Sequence, residues 1–221
     1  AILAGVEVSV ASTKAYTNQL AVLALLALHA AGQRGALTPA QIGQELDALR
    51  HVPDQMRQAL ACEAEIAAIA AGLAEARSAL FLGRGVMYAT ALEAALKLKE
   101  LSYIHAEAYA SGELKHGPIA LIDRTLPVLV FAPHDALFDK TVSNMQEVMA
   151  RGGQVTLITD AAGAAIAAEG TQATLTLPTA GRLAAPLVYA IPAQLLAYHT
   201  AIAKGTDVDQ PRNLAKSVTV E

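Results

Sequence analysis

Short apolar runs alternate with helical patterns from about residue 75 onward. The runs have the length and the Val/Leu content of buried parallel strands, and four are predicted as strands: Ala79–Leu82, Pro127–Ala132, Gln154–Thr159 and Ala173–Leu177. Three helices are predicted beside them: one after the turn Gly83-Arg84-Gly85, one over Asp135–Arg151 and one over Ala184–Lys204. This alternation indicates a doubly wound parallel α/β domain over about residues 75–205, with ligands at the carboxyl ends of the strands.

The pattern of residues 1–74 predicts helices only. The first helix is predicted from a cap at Ser12 or Thr13 to about Ala31, and the second begins at Thr38-Pro39. Pro53 is predicted to start a further helix, and the last of these helices covers Glu63–Ala76. The apolar run Leu20–Leu28 is too short to span a bilayer and predicts a buried or oligomer-facing helix.

Two further features concern the carboxyl-terminal part of the sequence. Pro186 fits the first turn of its helix, whereas Pro192 is expected to bend or interrupt it. The polar tail, residues 206–221, carries Lys216 beside Leu214, Ala215 and Val218, which could dock it onto the domain. A docked lysine in a dry pocket can lose its proton and attack a carbonyl, although a mobile terminus explains the same composition.

Composition excludes several classes of function. The 221 residues are 54% hydrophobic with 4% aromatics and a net charge of −4, which disfavours disorder and nucleic-acid binding. Cys62 is the only cysteine, so no internal disulfide can form, as expected in a reducing cytoplasm. We expect Cys62 to be a small buried residue and not a nucleophile. The sequence begins Ala-Ile-Leu without methionine, which suggests a piece of a larger protein.

Titratable groups concentrate in the stretch Ala91–Pro118, which opens as a helix. Glu93, Lys97 and Glu100 share roughly one helical face, while Leu92 and Leu96 lie on other arcs and can turn inward. A polar segment with further acids and histidines follows from about Ser102. Such density suits acid–base chemistry, although a surface helix with Glu–Lys pairs would give the same spacing.

Three segments together resemble a known family. These are ASTKAYTNQL at 11–20, ALKLKELSYIHAEAYASGELKHGPIALID at 95–123 and DVDQPRNLAKSVTVE at 207–221. They closely resemble the glutamine–fructose-6-phosphate aminotransferase (isomerising) family, the glucosamine-6-phosphate synthases, in order and over essentially the whole chain. The resemblance implies two sugar-isomerase (SIS) subdomains. It places the end of the first at 1–35, connector helices at 36–74, the second subdomain at 75–205 and a tail with the Schiff-base lysine at 206–221.

The resemblance also implies roles for seven residues. Glu100 would move a proton between C1 and C2 of the sugar, Lys97 would assist it, and His116 would help to open the ring from a neighbouring subunit. Lys216 would form a Schiff base with open-chain fructose 6-phosphate. The expected sugar contacts are Val10, Ser12 and Glu7. Other titratable residues are expected to be structural or solvated: His51, His105, Glu107, Lys115 and His199. Lys14, just inside a helix N-terminus, could meet an anionic ligand or lie on the surface.

The implied reaction makes glucosamine 6-phosphate from fructose 6-phosphate and glutamine-derived ammonia in a cytoplasmic homodimer. The glutaminase domain and most of the first SIS subdomain are absent from the sequence. No cofactor or metal is expected, because His105 and His116 lack helical ligand spacing and there is no cysteine pair. No membrane or nucleic-acid partner is expected either. Two alternatives remain open: a stand-alone SIS sugar-phosphate isomerase or deaminase, and a non-catalytic sugar-phosphate-binding SIS module.

Overall fold

A parallel five-stranded sheet forms the centre of the fold. The computed structural model describes residues 1–216. The strands stand in the order β2-β1-β3-β4-β5, and every neighbouring pair is parallel. They are β1 (Ser78–Gly83), β2 (His105–Ala110), β3 (Pro127–Phe131), β4 (Gln154–Asp160) and β5 (Ala173–Leu177). The predicted doubly wound α/β class is confirmed.

Helices cover both faces of this sheet. They are α1 (Lys14–Gln33), α2 (Pro39–Leu60), α3 (Glu63–Ala74), α4 (Val86–Ser102), α5 (Phe138–Met149), α6 (Ala161–Ala167) and α7 (Ala185–Lys204). Two 3-10 segments, Ser111–His116 and Pro118–Leu121, follow β2. Side chains alternate along each strand. Phe81 and Phe131 therefore pack beneath α3, α4 and α7, whereas Leu82 and Val130 pack with α5 on the other face.

Helix α4 lies against α7 through small side chains. Ala91, Ala94 and Ala95 of α4 are at most 2% exposed, and Ala197 of α7 is fully buried. The alanines let the two helices approach closely, and the larger Leu98 fills the space beneath them. The expected inward turn of Leu92 and Leu96 is wrong: they lie opposite the alanine face and remain 45% and 41% exposed.

The turn between β1 and α4 requires glycine. A Cβ on Gly83 would lie 2.3 Å from the Met87 carbonyl oxygen, in the first turn of α4. Gly85, the residue before α4, has φ 55°, which side chains disfavour. The predicted strand–turn–helix unit is confirmed, and this close approach sets α4 at the carboxyl end of β1.

Both internal prolines are accommodated within continuous helices. The predicted restart at Pro53 is wrong, since α2 runs through it, and α7 likewise continues through Pro192, which does not interrupt it. Each missing hydrogen bond is offset by packing: Val52 beside Pro53 is 5% exposed, and Pro192 itself is buried. Pro186 occupies the first turn of α7, as predicted.

Some elements were missed or given different limits. Strand β2 lies in the predicted polar segment, because an edge strand needs little apolar sequence, and α6 is too short for a helical pattern. Helix α5 starts at Phe138 instead of Asp135, whose carboxylate oxygen accepts from the Leu137 amide in the preceding turn.

Helix α1 carries an exposed apolar face. Of the run Leu20–Leu28, only Ala24 and Leu28 are buried, while Val22, Leu23, Leu25 and Leu26 are 40–59% exposed. The expected burial is wrong within this chain, and the oligomer-facing alternative stays a prediction. Within residues 1–216, no helix has both the length and the apolar character needed to cross a membrane.

Candidate active site

A buried lysine stands between two carboxylates on α4. Lys97 is 3% exposed, and its Nζ lies 2.6 Å from Glu100 Oε2 and 3.4 Å from Glu93 Oε1. The predicted shared face of the three residues is confirmed. The Lys97 side chain is 4% exposed, against 13% for Glu93 and 22% for Glu100, so the groups are shielded from water without being sealed from it.

Burial shapes the electrostatics around this trio. It raises the pKa of Glu93, an effect that the Lys97 charge opposes and the Glu100 charge increases. Burial, reinforced by Glu93, raises the pKa of Tyr16 on α1 to about 12. Glu100 keeps 22% side-chain exposure against 13% for Glu93. It is therefore the better placed of the two carboxylates to exchange a proton with a ligand.

Glu7 organises the start of α1. Its Oε1 accepts from the Thr13 amide at 2.7 Å, the Thr13 hydroxyl at 3.3 Å and the Ala15 amide at 3.5 Å. Thr13, one of the two predicted capping residues, occupies the N-cap position, but its side chain makes no capping hydrogen bond. The carboxylate stabilises the free amides better than a hydroxyl would.

The pKa of Glu7 reflects these contacts. Desolvation by burial is the largest single effect and raises it. The bonds from Thr13 and Ala15, aided by the Lys216 charge, together outweigh that effect and hold the pKa below its ordinary value. Glu7 therefore presents a stable negative charge at this edge of the site.

The tail is bound to the rest of the fold by a set of hydrogen bonds that we call the tail clasp. The Ser9 hydroxyl donates to Val208 O at 3.1 Å, and the Val10 amide donates to Asp209 O at 2.9 Å. The Thr206 hydroxyl donates to Leu101 O, at the end of α4, at 2.6 Å. The clasp thus joins the segment before α1, α4 and the tail.

Lys216 comes beside Glu7. Its Nζ lies 3.9 Å from Glu7 Oε2, and its side chain is 51% exposed. Leu214 is 41% exposed and Ala215 is also exposed, so the predicted docking through these two residues is wrong, and Val218, the third residue expected to dock the lysine, lies outside the described residues. Val10 and Ser12 are both half-buried in the segment between Glu7 and α1, and the Val10 amide joins this segment to the tail.

A cavity of about 490 Å³ opens beside Glu100. Its wall includes the end of α4 and the tail residues Arg212, Asn213 and Leu214. The Arg212 amide donates to the Tyr103 hydroxyl at 2.8 Å, and the Arg212 guanidinium lies 4.2 Å from the centre of the Tyr103 ring. The cavity places open space next to the carboxylate that is best placed for proton transfer.

His116 makes none of the contacts described above for the other predicted catalytic residues. It ends the 3-10 segment after β2, is 74% exposed in its side chain, and faces Glu113 at 4.0 Å. Its predicted action on the site of a neighbouring subunit is compatible with this exposure and stays a prediction.

The remaining titratable residues have structural contacts. His199 pairs with Glu63 at 3.1 Å, Lys115 with Glu147 at 2.8 Å and His105 with Glu107 at 3.4 Å. Cys62 is only partly buried at the junction of α2 and α3, and burial raises the pKa of its thiol, which disfavours a nucleophilic role. Within residues 1–216, no group of three His, Cys, Asp or Glu side chains could hold a metal ion.

Three contributors were not predicted: Tyr16, Tyr103 and Arg212. Tyr16 lies two residues after Lys14 in the first motif, and its proximity to α4 depends on tertiary structure alone. Tyr103 follows a long helix without a terminating glycine, which is an irregularity visible in the sequence.

Comparison with known proteins identifies the family. The SIS domain family matches residues 72–204. The chain is 59% identical over 221 residues to glutamine–fructose-6-phosphate aminotransferase (isomerizing) of Agrobacterium fabrum, a match covering 100% of this chain and 36% of that protein. The protein of the same name from Brucella abortus is 58% identical over 219 residues, covering 99% of this chain and 36% of the relative. The chain thus spans about a third of the length of these curated relatives.

Solved structures of related proteins also match the fold of this chain. The C-terminal domain of glucosamine-fructose-6-phosphate aminotransferase from Francisella tularensis superposes with a TM-score of 0.90 at 48% identity, over 93% of this chain and 58% of that chain. A putative phosphosugar isomerase from Silicibacter pomeroyi superposes with a TM-score of 0.70 at 30% identity, over 94% of this chain and 58% of that chain. The resemblance noted from the three sequence segments is confirmed, and the chain belongs to the SIS domain family.

Proposed function

We propose that this chain is the isomerase portion of a glutamine–fructose-6-phosphate aminotransferase. In this proposal fructose 6-phosphate and ammonia become glucosamine 6-phosphate and water. The observations that carry it are two ion pairs, Lys97–Glu100 on α4 and Lys216–Glu7 between the tail and the segment before α1. The names and identities of the relatives support the same reaction.

Each residue has a role in this proposal. The Lys216 amine attacks C2 of open-chain fructose 6-phosphate, and water leaves as the imine forms. Ammonia then displaces the lysine and leaves the sugar imine. Glu100 takes a proton from C1 and returns it at C2, while the C1 hydroxyl proton passes to nitrogen, which gives the aldehyde and the amine of the product. The Lys97 ammonium stabilises charge beside Glu100 during the transfer.

Glu7, Val10 and Ser12 form the sugar-facing edge in this proposal, with Glu7 also holding the Lys216 ammonium before reaction. The ammonia comes from a glutaminase domain, and a first SIS subdomain completes the sugar-phosphate site. The active unit is a cytoplasmic homodimer in which His116 of one subunit serves the other. Its exposed position, away from Glu100, supports that arrangement.

Borohydride trapping tests the Schiff base. The chain, and the same chain extended through the first SIS subdomain, are each mixed with fructose 6-phosphate and borohydride and weighed by intact-mass spectrometry. We expect a reduced sugar adduct that disappears in Lys216→Arg, a control that keeps the cation near Glu7. An adduct in the extended chain alone would mean that residues 1–221 hold half a site. Absence from both would refute the role of Lys216.

A Glu100→Gln variant separates catalysis from simple sensing. A sugar-phosphate-binding module needs neither a general base nor an imine-forming lysine. It would bind sugar phosphate equally well in parent and Glu100→Gln forms, and neither would turn over. The buried Lys97–Glu100 pair favours the enzyme, because burying such groups is costly where binding alone is needed.

A further inference from the structure

Helix α4 ends on a tyrosine in a conformation that usually calls for glycine. Tyr103 is its C-cap residue, with φ 61° and ψ 15° in the left-handed region. Its amide closes the helix by donating to Lys99 O at 3.1 Å. Helix α7 ends in nearly the same conformation, but on Gly205, with φ 70°. A bulky residue is strained in this region, so its presence indicates that the side chain is used.

The Tyr103 side chain makes two different contacts with one tail residue. Its hydroxyl accepts from the Arg212 amide at 2.8 Å, which fixes the tail backbone. Its ring lies 4.2 Å beneath the Arg212 guanidinium, which fixes the side chain. The left-handed turn carries the ring away from the path of α4 and towards the tail. The strained conformation and the two contacts are therefore parts of the same arrangement.

Arg212 is the last firm attachment point before Lys216. The tail clasp holds the tail at residues 206, 208 and 209. After Arg212, the next side-chain attachment in the described part of the tail is Lys216 itself, at 3.9 Å from Glu7. Four residues span at most roughly 14 Å. Fixing Arg212 therefore limits the volume that the Lys216 amine can explore.

The same contact shapes the space beside Glu100. Tyr103 and Arg212 both line the 490 Å³ cavity that Glu100 borders. Without the contact, the tail wall of this cavity would have no attachment to the end of α4 at Arg212. Tyr103 thus links the segment that carries the proton-transfer carboxylate to the segment that carries the amine.

We propose that Tyr103 is a positioning residue for Lys216, holding the tail through Arg212 so that the amine meets C2 of the sugar. This inference rests on the proposed function, because it assigns Tyr103 to the imine-forming step. Tyr103 itself does not touch the reacting atoms.

Two substitutions separate the contacts. Tyr103→Phe removes only the hydroxyl that accepts from Arg212, while Tyr103→Gly removes both contacts and relieves the strained conformation, so the end of α4 stays intact. Tyr109→Phe is the matched control, since Tyr109 donates its hydroxyl bond to Glu107 on β2 and lies outside the tail contacts.

Two readouts follow in the chain extended through the first SIS subdomain and glutaminase domain. We expect faster amide hydrogen exchange over residues 206–216 in both Tyr103 variants. Rapid-quench borohydride trapping at saturating fructose 6-phosphate should show imine formation slowed about threefold to tenfold in Tyr103→Phe and more in Tyr103→Gly. The sugar concentration giving half the maximal rate should change little, and Tyr109→Phe should match the parent in both readouts.

The outcomes distinguish this inference from the proposed function. Unchanged tail exchange in Tyr103→Gly would overturn the inference, whatever the chemistry. Faster exchange with unchanged imine formation would show that Tyr103 anchors the tail without positioning the amine, and would also overturn it. If the parent itself forms no adduct, the Schiff-base role of Lys216 fails and takes this assignment with it, while the exchange data still report whether Tyr103 holds the tail.

Discussion

At the residue scale, the Lys97 ammonium is the central charge of the candidate site. A buried lysine is expensive unless opposite charges and hydrogen bonds compensate it, and Lys97 has carboxylates on two sides. Glu93 in turn depends on Lys97, because burial and the Glu100 charge raise the pKa of Glu93 and the Lys97 charge opposes them. Glu100 is the more exposed of the two carboxylates, with 22% of its side chain exposed against 13% for Glu93.

Removing the ammonium should destabilise the fold. For Lys97→Met we expect the free energy of unfolding at pH 7 to fall by about 3 kcal/mol, because two carboxylates lose their shared partner. The loss should shrink towards pH 5 as one carboxylate takes up a proton. Urea denaturation at both pH values measures it, with Lys99→Met, on the exposed side of α4, as control. Equal losses in the two variants would contradict the role of the trio.

Glu7 should give an acid-dependent contribution to stability. Its pKa is lowered in the folded state, so its stabilisation is complete above the ordinary value of 4.5 and is lost as the pH falls through the folded value. We expect Glu7→Gln to lower the free energy of unfolding by about 1 kcal/mol at pH 7, as for a lost helix cap, and by less at pH 3. A loss independent of pH would argue against the charged cap.

At the scale of elements, α4 shows what a hydrophobic pattern can and cannot predict. The spacing of Glu93, Lys97 and Glu100 placed them on one face correctly. The prediction for the other faces is wrong because it assigns the large leucine side chains to the core, whereas the small alanines fill the seam with α7. Which of two apolar faces is buried depends on how close the partner helix comes, and a single helix sequence does not contain that distance.

The β1–α4 turn is predicted to be intolerant of any side chain. In Gly83→Ala the new Cβ would meet the backbone of Met87, which cannot move without shifting α4. We expect about 2–3 kcal/mol lower stability, or a poorly folded protein. Gly43→Ala in α2 is the matched control, because its Cβ would meet nothing within 4 Å. The better helix propensity of alanine should raise the free energy of unfolding by up to about 1 kcal/mol. Thermal unfolding compares the two directly.

At the scale of the whole molecule, the site joins segments from the two ends of the chain. The parallel α/β class and four of its five strands follow from patterning, whereas the edge strand β2 and the short helix α6 do not. The meeting of Glu7 with Lys216, and of Tyr103 with Arg212, does not, because their polar contacts leave no periodic signal. The apolar neighbours of Lys216 and the resemblance to a known family both indicated a part for the tail, and the roles of its residues stay predictions.

Subunit mixing tests whether two chains share a site. In the extended protein, Glu100→Gln and His116→Ala homodimers should both be inactive. A purified heterodimer of the two should recover about half of the parent activity, because one of its two symmetric sites then has both residues intact. Heterodimers confirmed by mass that remain inactive would place His116 outside the partner's site.

The tail clasp also has a consequence for the order of folding. The Ser9–Val208 bond joins positions 199 residues apart, so closing it requires ordering a very long loop. The sheet and its helices, linked by much shorter connections, can form first. The contact between Glu7 and Lys216 is then completed late, after the scaffold has already formed. A chain that had folded without its tail would keep the sheet and its helices and lack this contact.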